Sequence, residues 1–470
     1  MEIIMELQRT LRVATIDHIT PEPNEIDIAV HSSRHLMRDK FKSYLLSNLK
    51  TVCEKKNWPF YEICRPDYQV NTVIGIKNSS PNLILRQGRP HIFCGLVKDA
   101  TLFGISGYLI VDDSIAVVYG LGYSNYPERI INQLGAFLKG VDEPSSVFLD
   151  IGPPEMEVNE EAVYLGGHQN FGHFLTQFAS RIPIYDRFDQ LNHLPVLIYD
   201  GLPDRYYDFI ELFGIERSRF ILIPENSPVK VKKLWMAPPA MYRGHYNDFI
   251  TFIWKESVFS LRSKVMKNFS LPQKTERVYL KRDPSRYRNI ANIQEIEELL
   301  KSFDFNFYRM EKYPAKKQIE IISQASLLVT VAGPDATASM FASDDCFVID
   351  LNTEMADGPL GSGIGAFVFG HRYHRIDGPA VDTDPIGLEK IAPPSGREAL
   401  DRNYYIAPDV LRKALSDSIT LMDKKQSMKN GNEKFWESIS NWGTEFEFRA
   451  QFASSSQIGT VKIKSQVKNG

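Results

Sequence analysis

The strongest constraint on the fold lies in residues 277–352, where apolar runs of strand length alternate with helix-type patterns. The runs fall at 278–280, 305–308, 327–331 and 347–351. Between the first two, Ile293, Ile296, Leu299, Leu300 and Phe303 recur at helical spacing on one face. Asn292 is the predicted N-cap of that helix, with Glu295 three positions on as a partial capping box. Ile319, Ile322 and Ala325 give the second helix its buried face. Strands separated by helices of this length imply right-handed crossovers and a parallel sheet. Ligands of such sheets sit beyond the carboxyl ends of the strands. The turn 332–337, Ala-Gly-Pro-Asp-Ala-Thr, lies at such an end, before a short helix predicted over 335–342. Backbone N–H groups and the helix dipole there favour a phosphate, which makes Gly333, Asp335 and Thr337 candidate binding residues for a nucleotide diphosphate.

A second unit repeats the pattern. A short strand at 163–165 leads through Gly166-Gly167-His168-Gln169-Asn170-Phe171-Gly172-His173 into a helix with Phe174, Leu175, Phe178, Ile182 and Tyr185 as its apolar stripe. A strand at 194–199, a helix at 206–213 and a strand at 220–223 follow, and an amphipathic segment at 249–269 joins the two units. The expected architecture is α/β: two Rossmann-like domains, 151–275 and 276–470, facing a cleft. Residues 1–150 read differently. Short stretches at 101–105, 108–111 and 115–119, punctuated by Gly104, Gly107 and Asp112-Asp113, predict hairpins. This β-rich N-terminal accessory region also carries helices predicted over 38–52 and 127–138. Beyond 353 come a glycine-rich stretch (358–370), a proline-punctuated loop (379–394) and helices predicted at 410–422 and 433–442.

A chain of 470 residues with 24% charged residues and a formal net charge of −3 lacks the basic footprint of a nucleic-acid binder. The four cysteines, Cys53, Cys64, Cys94 and Cys346, form no CxxC pair, so neither a zinc site nor a disulfide framework is indicated. No signal peptide or apolar run of ~18 residues is seen. A cytoplasmic chain is expected, with room for peripheral contact at the inner face of a membrane carrying its substrate.

Two constellations have the makings of a site. His173, Gln177, Ser180 and Arg181 share one helix face by i, i+4, i+7 and i+8 spacing, beside Asn170 and His168. A histidine at a helix start tends to be neutral, the form a general base needs. Arg282, Arg286 and Arg288 leave the carboxyl end of a strand and can converge on Gly333, where guanidinium forks suit a diphosphate. Asp350, Asn352 or Glu354, past the last strand, would hydrogen-bond ribose or sugar. Asp382-Thr383-Asp384 has the spacing of a metal-binding Asp-x-Asp but lies in a proline-flanked loop. Residues 361–366 match G-x-G-x-x-A without the strand that should precede it directly.

Asn170-Phe171-Gly172-His173-Phe174-Leu175, followed by Arg181, resembles the Asn-Tyr-x-His-Phe motif of the family-61 glycosyltransferases. Arg288-Asn289-Ile290-Ala291-Asn292 resembles that family's Arg-x-x-x-Asn-Glu element. Gln318, Ala325, Gly333, Thr337 and Phe341 fall where its Gln, Ala, Gly, Thr and Phe block would place them. The similarity runs over about residues 160 to 355, and its branch resembles bacterial proteins of capsular or exopolysaccharide assembly. The resemblance implies a GT-B-like fold and an inverting transfer from a nucleotide diphosphate sugar, expected to be a UDP-sugar, to a glycan or lipid-linked glycan, with no metal and no cofactor. It implies catalytic roles for His173, Asn170 and His168, and acceptor or interface roles for Gln177 and Arg181. Donor binding would fall to Arg282, Arg288, Asn292, Gly333, Asp335, Thr337 and Glu354. Ala332, Ala338 and Ile293 depart from the pattern, where the family has His, Asn and Glu. The rival readings are a catalytically degenerate nucleotide- or glycan-binding scaffold and an oxidoreductase using the glycine-rich loop.

Overall fold

The computed structural model describes residues 42–77, 80–104, 107–117, 137–143, 146–225, 227–243, 250–267, 269, 276–283, 288–331, 333–344, 346–353, 363, 368–369, 371–381, 402–430, 447–448 and 461–462. It is a mixed α/β structure built on two large sheets. The parallel core of the first consists of β1 (Met156–Gly166), β2 (Val196–Tyr199), β3 (Phe220–Ile223) and β4 (Val229–Met236). Their order is β3-β2-β1-β4, with Val163 opposite Val196 on one side and Trp235 on the other. Every residue of β2 is buried, as expected of an interior parallel strand. Helix α1 (Asp204–Leu212) joins β2 to β3.

After helix α2 (Lys255–Met266), the second core runs through β5 (Glu276–Leu280), α3 (Ile293–Ser302), β6 (Asn306–Tyr308), α4 (Ala315–Ser323), β7 (Ala325–Val331), β8 (Phe347–Thr353) and β9 (Arg372–Gly378). Its strands are parallel in the order β9-β8-β7-β5-β6. The chain thus starts inside each sheet and reverses direction: beside β1 in the first, beside β5 in the second. Crevices that open at such reversals are where open α/β sheets bind ligands. Helix α5 (Pro408–Asn430) packs on α3 and β9.

The N-terminal strands are built into both sheets. Ile92–Phe103 lies antiparallel to β4, with Leu96 opposite Trp235, and the hairpins expected near 101–119 continue that sheet to eleven strands. Asp67–Lys77 and Ser80–Arg89 form a hairpin beside β9, which with Ile250–Ile253 and Met241–Arg243 brings the second sheet to nine strands. The helix predicted over 38–52 is corrected. Lys42–Asn48 is a strand, parallel to Ser114–Val117 and antiparallel to Ser146–Leu149, and only Leu49–Lys56 is helical. Asn48 starts that helix by accepting from the Thr51 N–H at 2.8 Å, while pairing across the sheet overrides helix propensity before it. The helices predicted at 127–138 and 433–442 and the stretches 358–370 and 379–394 lie almost wholly outside the described residues. Among the described residues, no helix is long and apolar enough to cross a membrane.

One apolar cluster crosses from sheet to sheet, containing Phe171 and Phe209 from the first and Leu280, Leu328 and Phe341 from the second. Phe341 stacks against Phe209 and Phe213, ring centroids 6.1 and 6.3 Å away. The contact joins the α1 segment of the first core to the helix that follows β7 in the second.

Candidate active site

The loop leaving β1 carries the first wall of the site. Gly166 holds φ at +74°, and a Cβ there would come within 2.5 Å of the Tyr164 hydroxyl, so glycine is required. Asn170 then caps the turn Phe171–His173, its Oδ1 accepting from the His173 N–H at 3.2 Å. The following helix is not α throughout. Phe174–Phe178 is a π turn and Ala179–Arg181 a 3₁₀ turn, before a final α turn at Ile182–Tyr185. Side chains satisfy the carbonyls this irregularity releases. Thr176 Oγ1 donates to Gly172 O, Ser180 Oγ to Thr176 O and Ser257 Oγ to Ser180 O.

His168 and His173 lie side by side, ring centroids 4.8 Å apart. The Asn170 N–H donates to His168 Nδ1 at 2.8 Å, which requires that nitrogen to be unprotonated. Burial pushes the His168 pKa below the ordinary histidine value, so the ring is neutral with its proton on Nε2. Its one basic lone pair is therefore committed. His173 is half-buried, and its turn packs on the helix Pro334–Phe341 of the second unit.

The π turn breaks the 3.6-residue spacing on which the polar face was drawn, and Arg181 is corrected. It is fully buried, sandwiched between the rings of Tyr164 and Phe178, with Nη1 donating to Leu165 O at 2.8 Å. It braces β1 against the helix and is not open to an acceptor. Gln177 remains half-buried on the π turn.

The second wall forms where β5 and β7 end side by side. Arg282 follows β5, and Gly333 follows β7 by two residues. A Cβ on Gly333 would lie 2.9 Å from Arg282 Nη1, so guanidinium and glycine are in direct contact. Lys281 beside it is tied to Glu297 at 2.6 Å. These residues, with Asp283 and Glu311, face Phe171, Arg205 and Tyr206 of the first unit across a narrow cleft. The cleft opens at the reversal point between β5 and β7. The helix predicted after Gly333 is the 3₁₀ helix Pro334–Phe341, which buries Thr337 inside its wall. The side chain of Asp335, like Arg286 and Glu354, lies outside the described residues.

On the donor side, Asn292, Asp350 and Asn352 have partners within the fold. Asn292 precedes α3 but makes no side-chain cap. Its Nδ2 donates to Ile406 O at 2.8 Å and Glu295 Oε2 at 3.0 Å, and its Oδ1 accepts from Ile406 N at 3.1 Å. The amide is a clamp on the segment before α5. Asp350 and Asn352 are buried as well. Asp350 accepts from Thr330, Asn352 and Tyr373 at 3.1, 3.2 and 2.7 Å. Arg288 is half-buried with φ at +60°, and Asn289 beside it pairs with Asn403. Arg205, Tyr206 and Lys281 line the cleft without having been singled out in the sequence. Tyr206 reads there as an ordinary core position, and no periodicity marks Arg205.

Residues 171–349 match the family described as Glycosyltransferase 61. That match supports a glycosyltransferase activity. The matched family-61 segment begins at the His173 turn and ends in β8, so both walls of the cleft fall within it. Among solved structures, the chain is similar to that of a dodecameric iron-containing heptosyltransferase, TibC, in complex with ADP-D-β-D-heptose. Identity is 9%, the match covers 63% of this chain and 83% of that one, and the TM-score of 0.29 is too low to carry an argument. No curated protein matches the chain.

Proposed function

We propose that the chain is an inverting, metal-independent glycosyltransferase of GT-B-like arrangement. It moves a sugar from a nucleotide diphosphate donor, a UDP-sugar, to a hydroxyl of a glycan or lipid-linked glycan in capsular or extracellular polysaccharide assembly. The observation that carries the reading is the cleft inside the family-61 segment, with Arg282 against Gly333 on one wall and the His168–His173 loop adjoining the other.

In this reading the diphosphate lies along Arg282 and Gly333. Guanidinium hydrogen bonds stabilise the charge that grows on it as it leaves. The acceptor oxygen bonds to the anomeric carbon from the opposite face while the carbon–diphosphate bond breaks, and the hydroxyl proton passes to His173. His173 is preferred to His168 because His168 Nδ1 is already occupied by the Asn170 N–H. Asn170 shapes the turn that presents the base. His173→Ala is expected to lower turnover by about 10²–10⁴ with nucleotide affinity nearly unchanged. Unaltered turnover removes His173 from the mechanism. Nucleotide binding without turnover by the unsubstituted chain would favour the scaffold reading.

A further inference from the structure

Arg205, the second residue of α1, lies on the first unit's wall of the cleft. Its guanidinium sits 5.1 Å from the centroid of the Tyr206 ring. Among the described residues it has no hydrogen bond or ion pair. Asp283 and Glu311 line the same cleft, yet neither pairs with it. The opposite wall presents Arg282 on Gly333. Arg205 and Arg282, from different units, thus line one narrow cleft, so an anion entering it meets a cation from each side. A diphosphate spreads its charge over oxygens on two phosphorus atoms, which suits two forks approaching from opposite sides.

The platform beneath Arg205 connects this point to the loop carrying the histidines. Tyr206 Oη donates to Gln169 O at 2.8 Å, and its ring packs on Phe174 and Phe171 with centroids 4.6 and 5.4 Å away. An anion held by Arg205 is therefore held beside the residue that anchors the His168–Asn170 loop.

We propose that Arg205 clamps the donor diphosphate from the acceptor-side wall, so that the leaving group bridges the two units between Arg205 and Arg282. This rests on the donor reading given above. The test is calorimetric titration of the full chain with UDP, GDP, CDP and ADP, each beside its monophosphate, for the unsubstituted protein, Arg205→Gln, Arg205→Lys and Arg282→Ala. Arg205→Gln is expected to weaken the preferred diphosphate by about tenfold or more, with the monophosphate unchanged and Arg205→Lys intermediate. Equal diphosphate affinity in Arg205→Gln, with affinity lost in Arg282→Ala, overturns the clamp and leaves the donor reading standing. No binding of any nucleoside diphosphate by the unsubstituted protein overturns both.

Discussion

Gly333→Val probes the donor wall without touching a charge. Gly333 sits at φ 172° and ψ 178°, extended backbone that any residue adopts, so the substitution introduces no backbone strain. Its effect is steric. Even a single Cβ would lie 2.9 Å from Arg282 Nη1 and 3.5 Å from Cζ. Comfortable contact needs about 3.5 Å or more, so the guanidinium must retreat by roughly half an ångström for alanine and further for the two methyls of valine. Losing one charge-assisted hydrogen bond to the diphosphate costs about 1.5–3 kcal/mol, which raises Kd about 10- to 150-fold. The assay is calorimetric titration with UDP together with a thermal melt, repeated in an Arg282→Ala background. If valine acts by displacing Arg282, it adds almost nothing once Arg282 is gone. The same loss of affinity in both backgrounds, or unchanged UDP binding in Gly333→Val, refutes the reasoning.

Two further outcomes follow from the buried polar groups. Burial lowers the pKa of His168 and of His91, the latter despite its contact with Glu62 at 3.0 Å. Below the ordinary histidine value of 6.5 the unfolded chain binds protons that these folded rings resist. Their contribution to stability is therefore complete above 6.5 and lost as pH falls towards the folded values. Urea unfolding between about pH 7.5 and 5 should show this decline, made shallower by His168→Gln; a stability that rises on acidification contradicts it. Asn292→Ala removes three hydrogen bonds and leaves the Ile406 backbone groups unpaired. It is expected to cost about 1–3 kcal/mol of stability with UDP affinity intact. A selective loss of UDP binding would return Asn292 to the donor site.

What the sequence disclosed about the site follows a physical division. The strands of the second core are short apolar runs separated by cleanly periodic helices, so their parallel pairing could be inferred. The rule that ligands gather at carboxyl ends then placed Arg282 near Gly333, and the structure puts them in contact. Local patterns could not reveal interactions set by distant chain. Asn292 has the residue type and spacing of a cap, but its amide is claimed by Ile406, 114 positions away. Arg181 shares a face with His173 only on an ideal α-helix, and a π turn stabilised by Thr176 and Ser180 turns it into the core. Lys42–Asn48 is a strand because Ser114–Val117 and Ser146–Leu149 flank it, neighbours that no local window contains.

The geometry also constrains how the proposed reaction is assembled. The histidine loop belongs to one sheet and Arg282 to the other, so their relative placement depends on the contact between sheets. That contact is apolar and stacked, with Phe341 against Phe209 and Phe213. The helix ending in Phe341 starts at the Gly333 turn and also packs on Phe171–His173. One short helix therefore touches the Gly333 turn, the Phe171–His173 turn and the aromatic interface. In the proposed reaction, a donor seated on Arg282 would meet a base whose position is already set by packing, which lowers the ordering cost of reaching a reactive arrangement.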